Sequence, residues 1–334
     1  MTATKSLVTG AGGFVGEHLV RRLHARGDTV IASDVRDRTD LPVKMSVADL
    51  TDAAQMAPLL EGVDVVFHNA SVVQTARAGA DRVWAVNLGG TKTMLEAAKK
   101  AGVKRFVYVS SASVVYQGTD LENGAEDLPY AATSQAPYAD SKIAAEKEVL
   151  AANAPGFLTS SIRPHVIFGP GDTRFLPNIL VRADAGRMKV GIGREAHLSD
   201  FTYIDNLIDA LILADEVLAR DPSIGGRAYF VTNGEPTPFW EFVDRVLVAR
   251  GDPKIQYRLP YWFAYSAAAM VEWSRALTGR ANAPEDGFTR FAVRYMCTHH
   301  YFSIERAKKD LGYVPKVSID EGIKRTVAAR AARA

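Results

Sequence analysis

Cysteine is all but missing. The 334-residue chain holds one, Cys297, so no internal disulfide and no thiolate metal cluster can form. Net charge is missing too. Forty Lys+Arg against 38 Asp+Glu leave +2, without the basic stripe of a general nucleic-acid binder. Long apolar runs are short. The longest uncharged one, Leu259 to Val271 (LPYWFAYSAAAMV), is well below the about 20 residues needed to cross a bilayer. There is no internal repeat and no low-complexity stretch. The first strand begins near Ser6, which leaves no room before it for the regions of a signal peptide. These absences leave a reduced, cytoplasmic, metal-independent protein that binds no nucleic acid. Its composition, 47% hydrophobic and 23% charged, is that of an ordinary globular chain. At about 150 residues per domain, the length suggests about two domains.

What is present is an alternation. Ser6 to Thr9 is a short apolar strand that runs straight into a glycine loop. Val15, Leu19 and Leu23 recur at helical spacing, and Gly27 stops the helix. Strands follow at Thr29 to Ser33, ending in Asp34, at Asp64 to Asn69 and at Arg105 to Ser110. Leu88, Thr91, Leu95 and Ala98 mark one face of an intervening helix that ends at Gly102. Such alternation implies an α/β fold with a doubly wound parallel sheet.

The glycine loop reads TGAGGFVG from Thr9 to Gly16. Glycines at 10, 13 and 16 follow a strand and open a helix, the context that gives the pattern meaning. The first permits the turn, the second lets backbone approach a pyrophosphate, and the third allows close helix packing. The helix N-terminus attracts the phosphate charge. Asp34, at the end of the second strand, can accept hydrogen bonds from an adenine ribose and would repel a 2′-phosphate. That favours NAD over NADP. Arg36 and Arg38 pull the other way, because a nearby arginine can receive the phosphate.

YADSK places Tyr138 and Lys142 four residues apart, on one face of a helix. Ala145 and Val149 continue that face inward. A phenol is a poor base at its ordinary pKa near 10, but a neighbouring ammonium favours the phenolate. The pair suits removal of an alcohol proton during hydride transfer.

Taken with Asp49-Leu50, HNAS from His68 to Ser71, Asn87, Ser110-Ser111 and RPHVIFGPGD from Arg163 to Asp172, these motifs resemble the extended short-chain dehydrogenase/reductase family. SSASVVYQG from Ser110 and NGAEDLPY from Asn123 resemble its 3β-hydroxysteroid dehydrogenase branch. DFTYIDN from Asp200, TNGEPTPFW from Thr232 and the segment from Thr298 to Tyr313 agree. Eukaryotic relatives carry a more hydrophobic, membrane-associating segment in the later half, where this chain has only Leu259 to Val271.

The resemblance implies a Rossmann sheet of seven strands over residues 1–164 and a smaller, C-terminal substrate-binding lobe over 165–334. Segments near 200–232 would return to the Rossmann domain. It implies Tyr138 as catalytic acid/base, Lys142 on the nicotinamide ribose, and a catalytic serine, assigned to Ser111 with Ser113 as competitor. Gly10, Gly13, Phe14, Val15, Gly16 and Asp34 would hold the dinucleotide, with Asp49 and Leu50 by the adenine. Asn69, Ala70 and Ser71 would line it after the fourth strand, Asn87 would hold the sheet near it, and Pro164, His165 and Val166 would lie beside the nicotinamide. The implied reaction is NAD-dependent oxidation of a sterol 3β-hydroxyl, foremost in a 4α-carboxysterol, to a 3-ketone with loss of CO₂. A homodimer through the helix after Asn87 and the Tyr138 helix is also implied.

Two variants share these motifs. One is a 2-alkyl-3-oxo acid reductase, which would call for NADPH. The other is a nucleotide-sugar epimerase or dehydratase, which the uncharged aromatic 259–273 stretch disfavours, because a diphosphate wants cations. A non-catalytic NAD sensor would not need Tyr138 and Lys142. The 259–273 stretch reads either as a helix packed over an apolar pocket, with Phe175, Leu176 and Ile179 as further lining, or as a peripheral contact with a membrane surface. Arg174 and Arg194 are candidates to meet a substrate carboxylate. His299 and His300, adjacent on a strand, would face opposite ways and are read as core and surface, not metal ligands.

Overall fold

In the computed structural model, residues 4–74, 80–132, 136–193, 196–277 and 289–332 are described. Seven strands form one parallel sheet. From one edge to the other they are Arg227–Val231, Leu158–Pro164, Arg105–Val109, Val65–His68, Lys5–Thr9, Thr29–Asp34 and Met45–Val47. Six come from the first half of the chain, and the seventh, Arg227–Val231, comes from the segment expected to return.

Strand geometry sends alternate side chains to opposite faces. Val8, Val65, Phe67, Val107 and Ile162 pack under the helices Phe14–Arg26 and Ile204–Arg220, which contribute Leu19, Leu23, Leu207 and Leu211. Leu7, Val66, Phe106 and Tyr108 pack under the helices Thr91–Lys100 and Pro137–Ala151, which contribute Met94, Leu95, Ala98, Ala145 and Val149. The sheet is covered on both faces, as an all-parallel sheet must be. The strand order reverses between Lys5–Thr9 and Val65–His68. Loops leaving the carboxyl ends of two such strands diverge and open the crevice where ligands of this fold bind.

A second, four-stranded sheet joins Thr237–Pro238, Leu198–Ser199, His300–Phe302 and Leu121–Gly124. Its last strand precedes the Tyr138 helix in the chain, so a segment of the first half reaches into the later part of the structure.

The Pro137–Ala151 helix is fixed to the sheet by a buried ion pair. Arg163, on the Leu158–Pro164 strand, donates to Glu146 at 2.6 Å, and both side chains are almost fully buried. Ser161 and Tyr130 hydroxyls donate to the same carboxylate at 2.7 and 2.8 Å. The guanidinium lies over the rings of Phe230 and Tyr130, at 5.2 and 5.5 Å. Burial alone would raise the Glu146 carboxyl, but Arg163 and the Ser161 hydroxyl hold it below its ordinary pKa. Removing one partner strands a buried charge, which costs about 3–5 kcal/mol, whereas replacing both with apolar groups costs far less. Arg163→Met is therefore expected to lower the urea midpoint markedly, and the double change Arg163→Met, Glu146→Leu to recover part of the loss. Equal midpoints for the single and double variants would contradict this.

Candidate active site

The glycine loop closes against the neighbouring strand loop. Gly10 has φ +66°, and a Cβ on it would lie 2.7 Å from the Ala70 Cα. A Cβ on Gly16 would meet the Gly10 carbonyl oxygen at 2.1 Å, so the helix can start this close only without one. Asn69 Nδ2 donates to the Gly10 carbonyl at 3.3 Å, and the Ala70 N–H donates to Thr9 Oγ1 at 3.2 Å. The helix N-terminus behind Gly13 has no side-chain cap. Its open N–H groups and dipole suit a phosphate.

Asp34 faces this loop. Its Oδ2 accepts from the Gly12 N–H at 3.1 Å and its Oδ1 from the Arg36 N–H at 3.3 Å. Arg38 is engaged elsewhere, by Glu17 at 2.7 Å, Asp40 at 2.6 Å and the Gly12 carbonyl at 3.2 Å. Asp49 is exposed and accepts from Thr51 N–H and Oγ1, at 2.9 and 2.7 Å. Leu50 is buried and fills the space a Cβ on Gly90 would need.

Asn87 ties three segments together. Its Oδ1 accepts from the Val72 N–H at 2.8 Å and from Ser71 Oγ at 3.3 Å. Its Nδ2 donates to the Val72 carbonyl at 3.0 Å and to Ser141 Oγ, on the Tyr138 helix, at 2.9 Å. Beneath it, fully buried His68 bridges Thr9 Oγ1 and Thr91 Oγ1 at 2.8 and 2.9 Å. Burial, and then Lys142, push the His68 imidazole down to about 3, so it is neutral. Nothing in the local sequence marks this bridge.

The structure places Ser111 near enough to the Tyr138 phenol to act on it. Ser113 stands behind, donating to Ser111 Oγ through its N–H at 3.2 Å and its hydroxyl at 2.9 Å. Burial raises the Tyr138 phenol above its ordinary pKa, while Ser111 and then Arg174 draw it down. Arg174 donates to the Val73 carbonyl at 2.9 Å. Arg194 lies outside the described residues. Lys142 is buried with its Nζ on the Val109 carbonyl at 2.7 Å and 4.6 Å from the centre of the Tyr108 ring.

Pro164 is buried at the end of its strand, and His165 directs its ring to His300 and Tyr295. Val166 follows with φ +23°, an uncommon conformation for a β-branched residue. His299 and His300 do face apart: His300 is buried, and His299 Nδ1 accepts from the Leu198 N–H at 3.1 Å.

A glycine loop at a switch point and a Tyr–Lys helix beside a serine together define a short-chain dehydrogenase/reductase of the extended class. The sequence model of the 3-beta hydroxysteroid dehydrogenase/isomerase family matches residues 7–260, and the chain belongs to that family. It is 41% identical to the mouse sterol-4-alpha-carboxylate 3-dehydrogenase, decarboxylating, over 97% of this chain and 90% of the relative. It is 40% identical to a 2-alkyl-3-oxoalkanoate reductase of Stenotrophomonas maltophilia, over 98% of this chain and all of the relative. Among solved structures, the fold is shared with a dTDP-glucose 4,6-dehydratase from Streptomyces venezuelae, at a TM-score of 0.76 and 24% identity over 98% and 97% of the two chains.

Burial lowers the Lys142 ammonium from 10.5 to about 7, with Glu146 opposing. Between those two pH values the unfolded chain binds the proton that the folded one has lost, so stability rises with pH. In the absence of ligand, the urea midpoint is expected to climb between about pH 7 and 10, and Lys142→Met to flatten that climb. An unchanged slope in the variant would count against the assignment.

Proposed function

We propose that the protein oxidises the 3β-hydroxyl of a sterol with NAD⁺, foremost of a 4α-carboxysterol, giving a 3-ketone and CO₂. The nearness of Ser111 to the Tyr138 phenol, with Lys142 buried one turn behind, carries this reading. Residues 1–164 serve mainly as the cofactor half and the later residues as the substrate lobe. Gly10, Gly13, Phe14, Val15 and Gly16, with Asn69, Ala70, Ser71 and the Pro164–Val166 segment, would hold the cofactor.

The residues present fit a dinucleotide. Gly10 and Gly16 leave space that a Cβ would fill, and the helix N-terminus is uncapped. Asp34 beside Gly12 accepts ribose hydroxyls, and Arg38, held by Glu17 and Asp40, is not free to receive a 2′-phosphate. This supports NAD. The bound nicotinamide supplies the hydride acceptor. Tyr138 takes the hydroxyl proton, and Ser111 fixes the oxygen as a hydrogen-bond donor. The positive charge near Tyr138 favours its phenolate, against the cost of burying it. A β-keto acid then loses CO₂ because the neighbouring carbonyl accepts the electrons as an enolate. Arg174, close enough to bias Tyr138, is the cation we assign to the substrate carboxylate.

The reductase relative favours a second reading, the same chemistry run backwards on a 2-alkyl-3-oxo acid. One assay separates the two. NADH formation is measured with a 4α-carboxy-3β-hydroxysterol, with the sterol lacking the carboxylate, and with NADP⁺. NADH and a 4-decarboxylated 3-ketone from the carboxysterol are expected. Tyr138→Phe should lose about 10²–10⁴-fold, and Arg174→Leu should move the alkaline-rising limb of kcat/KM to higher pH. No turnover of either sterol, with NADPH-dependent reduction of a 2-alkyl-3-oxo acid, would establish the second reading.

No helix among the described residues is long and apolar enough to cross a membrane. The Tyr261–Leu277 helix nevertheless presents two faces. Ala264 and Ala268 pack inward against Ile192, Val293 and Cys297. Trp262, Met270, Trp273 and Leu277 share the outer face at helical spacing, each about two-thirds exposed (68%, 69%, 67% and 67%). Exposed tryptophans on an apolar stripe suit peripheral contact with a lipid interface, where the substrate would partition. The double change Trp262→Ser, Trp273→Ser should reduce co-sedimentation with phospholipid vesicles several-fold while the fold, followed by circular dichroism, persists. Equal co-sedimentation would remove the proposal. A homodimer through the Thr91–Lys100 and Pro137–Ala151 helices, already bridged within one chain by Lys92 and Glu148 at 3.0 Å, completes the reading.

A further inference from the structure

A second phenol stands at the same sheet edge as Tyr138. Ser111 and His165 leave the carboxyl ends of neighbouring strands, where the Ser110 N–H donates to the Ile162 carbonyl at 2.8 Å. Ser111 lies near the Tyr138 phenol on one side. His165 holds Tyr295 on the other, with Nε2 3.1 Å from the Tyr295 hydroxyl. The Tyr295 ring lies edge-on to Tyr116 at 5.5 Å, in the loop that begins with Ser111, and stacks on His300 at 4.1 Å.

The hydrogen-bond chain fixes which atoms carry protons. A carbonyl only accepts, so the His300 Nε2, 2.7 Å from the Tyr295 carbonyl, carries one. Burial leaves both imidazoles neutral, His300 at about 4 and His165 well below its ordinary value. The His300 Nδ1 is then an acceptor. It receives the Nε2–H of His165 at 2.8 Å, with Ser199 Oγ also within 3.1 Å. That leaves Tyr295 Oη to accept the shared His165 N–H. The Tyr295 hydroxyl hydrogen is directed elsewhere, and no acceptor for it is found among the described residues. Burial, and then Tyr116 and Tyr138, hold this phenol protonated.

The decarboxylating reaction needs such a proton. Tyr138 removes the hydroxyl proton while hydride leaves C3 for NAD⁺. Loss of CO₂ then leaves the electron pair of the broken C4–carboxyl bond in a C3–C4 enolate, and C4 must gain a proton to become the ketone. Building on the function proposed above, we propose that Tyr295, positioned by His165 and His300, donates that proton to C4. The C4–H bond forms from the enolate pair, and the O–H pair stays on Tyr295. The resulting phenolate is held by the His165 N–H and regains a proton from water after release.

The test uses a 4α-carboxysterol without a 4-methyl group, turned over with NAD⁺ in D₂O and quenched early. NADH is counted, and the face of C4 that carries deuterium is read by NMR. Wild-type protein is expected to place deuterium on one face, and Tyr295→Phe to yield product labelled on both faces at near 1:1. Single-face labelling by the variant, or two-face labelling by the wild type, overturns the assignment. So does a variant that binds NADH but forms none from the carboxysterol, because the phenol would then act before CO₂ is lost. No NADH from the wild type with any sterol overturns the substrate reading itself, and the assignment falls with it.

Discussion

The placement of the Tyr138 helix depends first on a buried polar contact, the Glu146–Arg163 pair. The sheet-facing side of this helix is not a simple apolar stripe. Ser141, Lys142 and Glu146 are all buried on it, among Ala145 and Val149. Apolar packing alone tolerates small slides and rotations, since "hydrophobic and about the right size" suffices for burial. Directional bonds do not. Ser141 is matched to Asn87, Lys142 to the Val109 carbonyl and Glu146 to Arg163. These three anchors along one face admit one axial register, and Tyr138, one turn before Lys142, is placed by them.

Each anchor also belongs to a different part of the crevice wall. Asn87 holds the Ser71–Val72 loop, Val109 ends the strand that leads to Ser111, and Arg163 lies just before Pro164 and His165. Proposed cofactor and substrate contacts are thus referred to one helix. Burial disfavours charge on both Tyr138 and Lys142. On the reading proposed here, the charged cofactor reverses part of that penalty, so the base becomes competent where the oxidant is bound. Coupling of this kind protects the phenolate from forming uselessly.

Much of this was legible in the sequence, and the reason is local. The glycine loop, Asp34 and the YADSK turn are short motifs whose chemistry needs fixed spacing; the structure sets the first two beside the switch point and Lys142 of the third on the carbonyl that ends the Arg105–Val109 strand. Spacing alone leaves Ser113 as a competitor to Ser111, because two residues apart on an irregular loop fixes no orientation; the influence of Ser111 on the Tyr138 phenol supports the assignment to Ser111. Met45–Val47 was not found, since three residues carry no periodicity. Leu121–Gly124 gave no sign of joining a sheet with His300–Phe302, and its one buried residue is a glycine. Arg163 was read as part of a motif without its partner, and the His165–His300 contact spans 135 residues of chain. Partners at such distances leave no mark on local pattern.

The strand order has a consequence for how the molecule is made. Leu158–Pro164 pairs on its outer side with Arg227–Val231, and paired positions such as Ser160 and Arg227 are 67 residues apart. During synthesis the six earlier strands can assemble while that edge still exposes its backbone N–H and C=O groups. It can be closed only after the Phe175–Asp184 and Ile204–Arg220 helices have emerged. Late closure of a long loop slows folding, and an open edge rich in apolar residues is a template for pairing with another chain. The same arrangement that pairs Leu158–Pro164 with a late strand therefore makes the nascent chain most vulnerable to aggregation when it is about two-thirds complete.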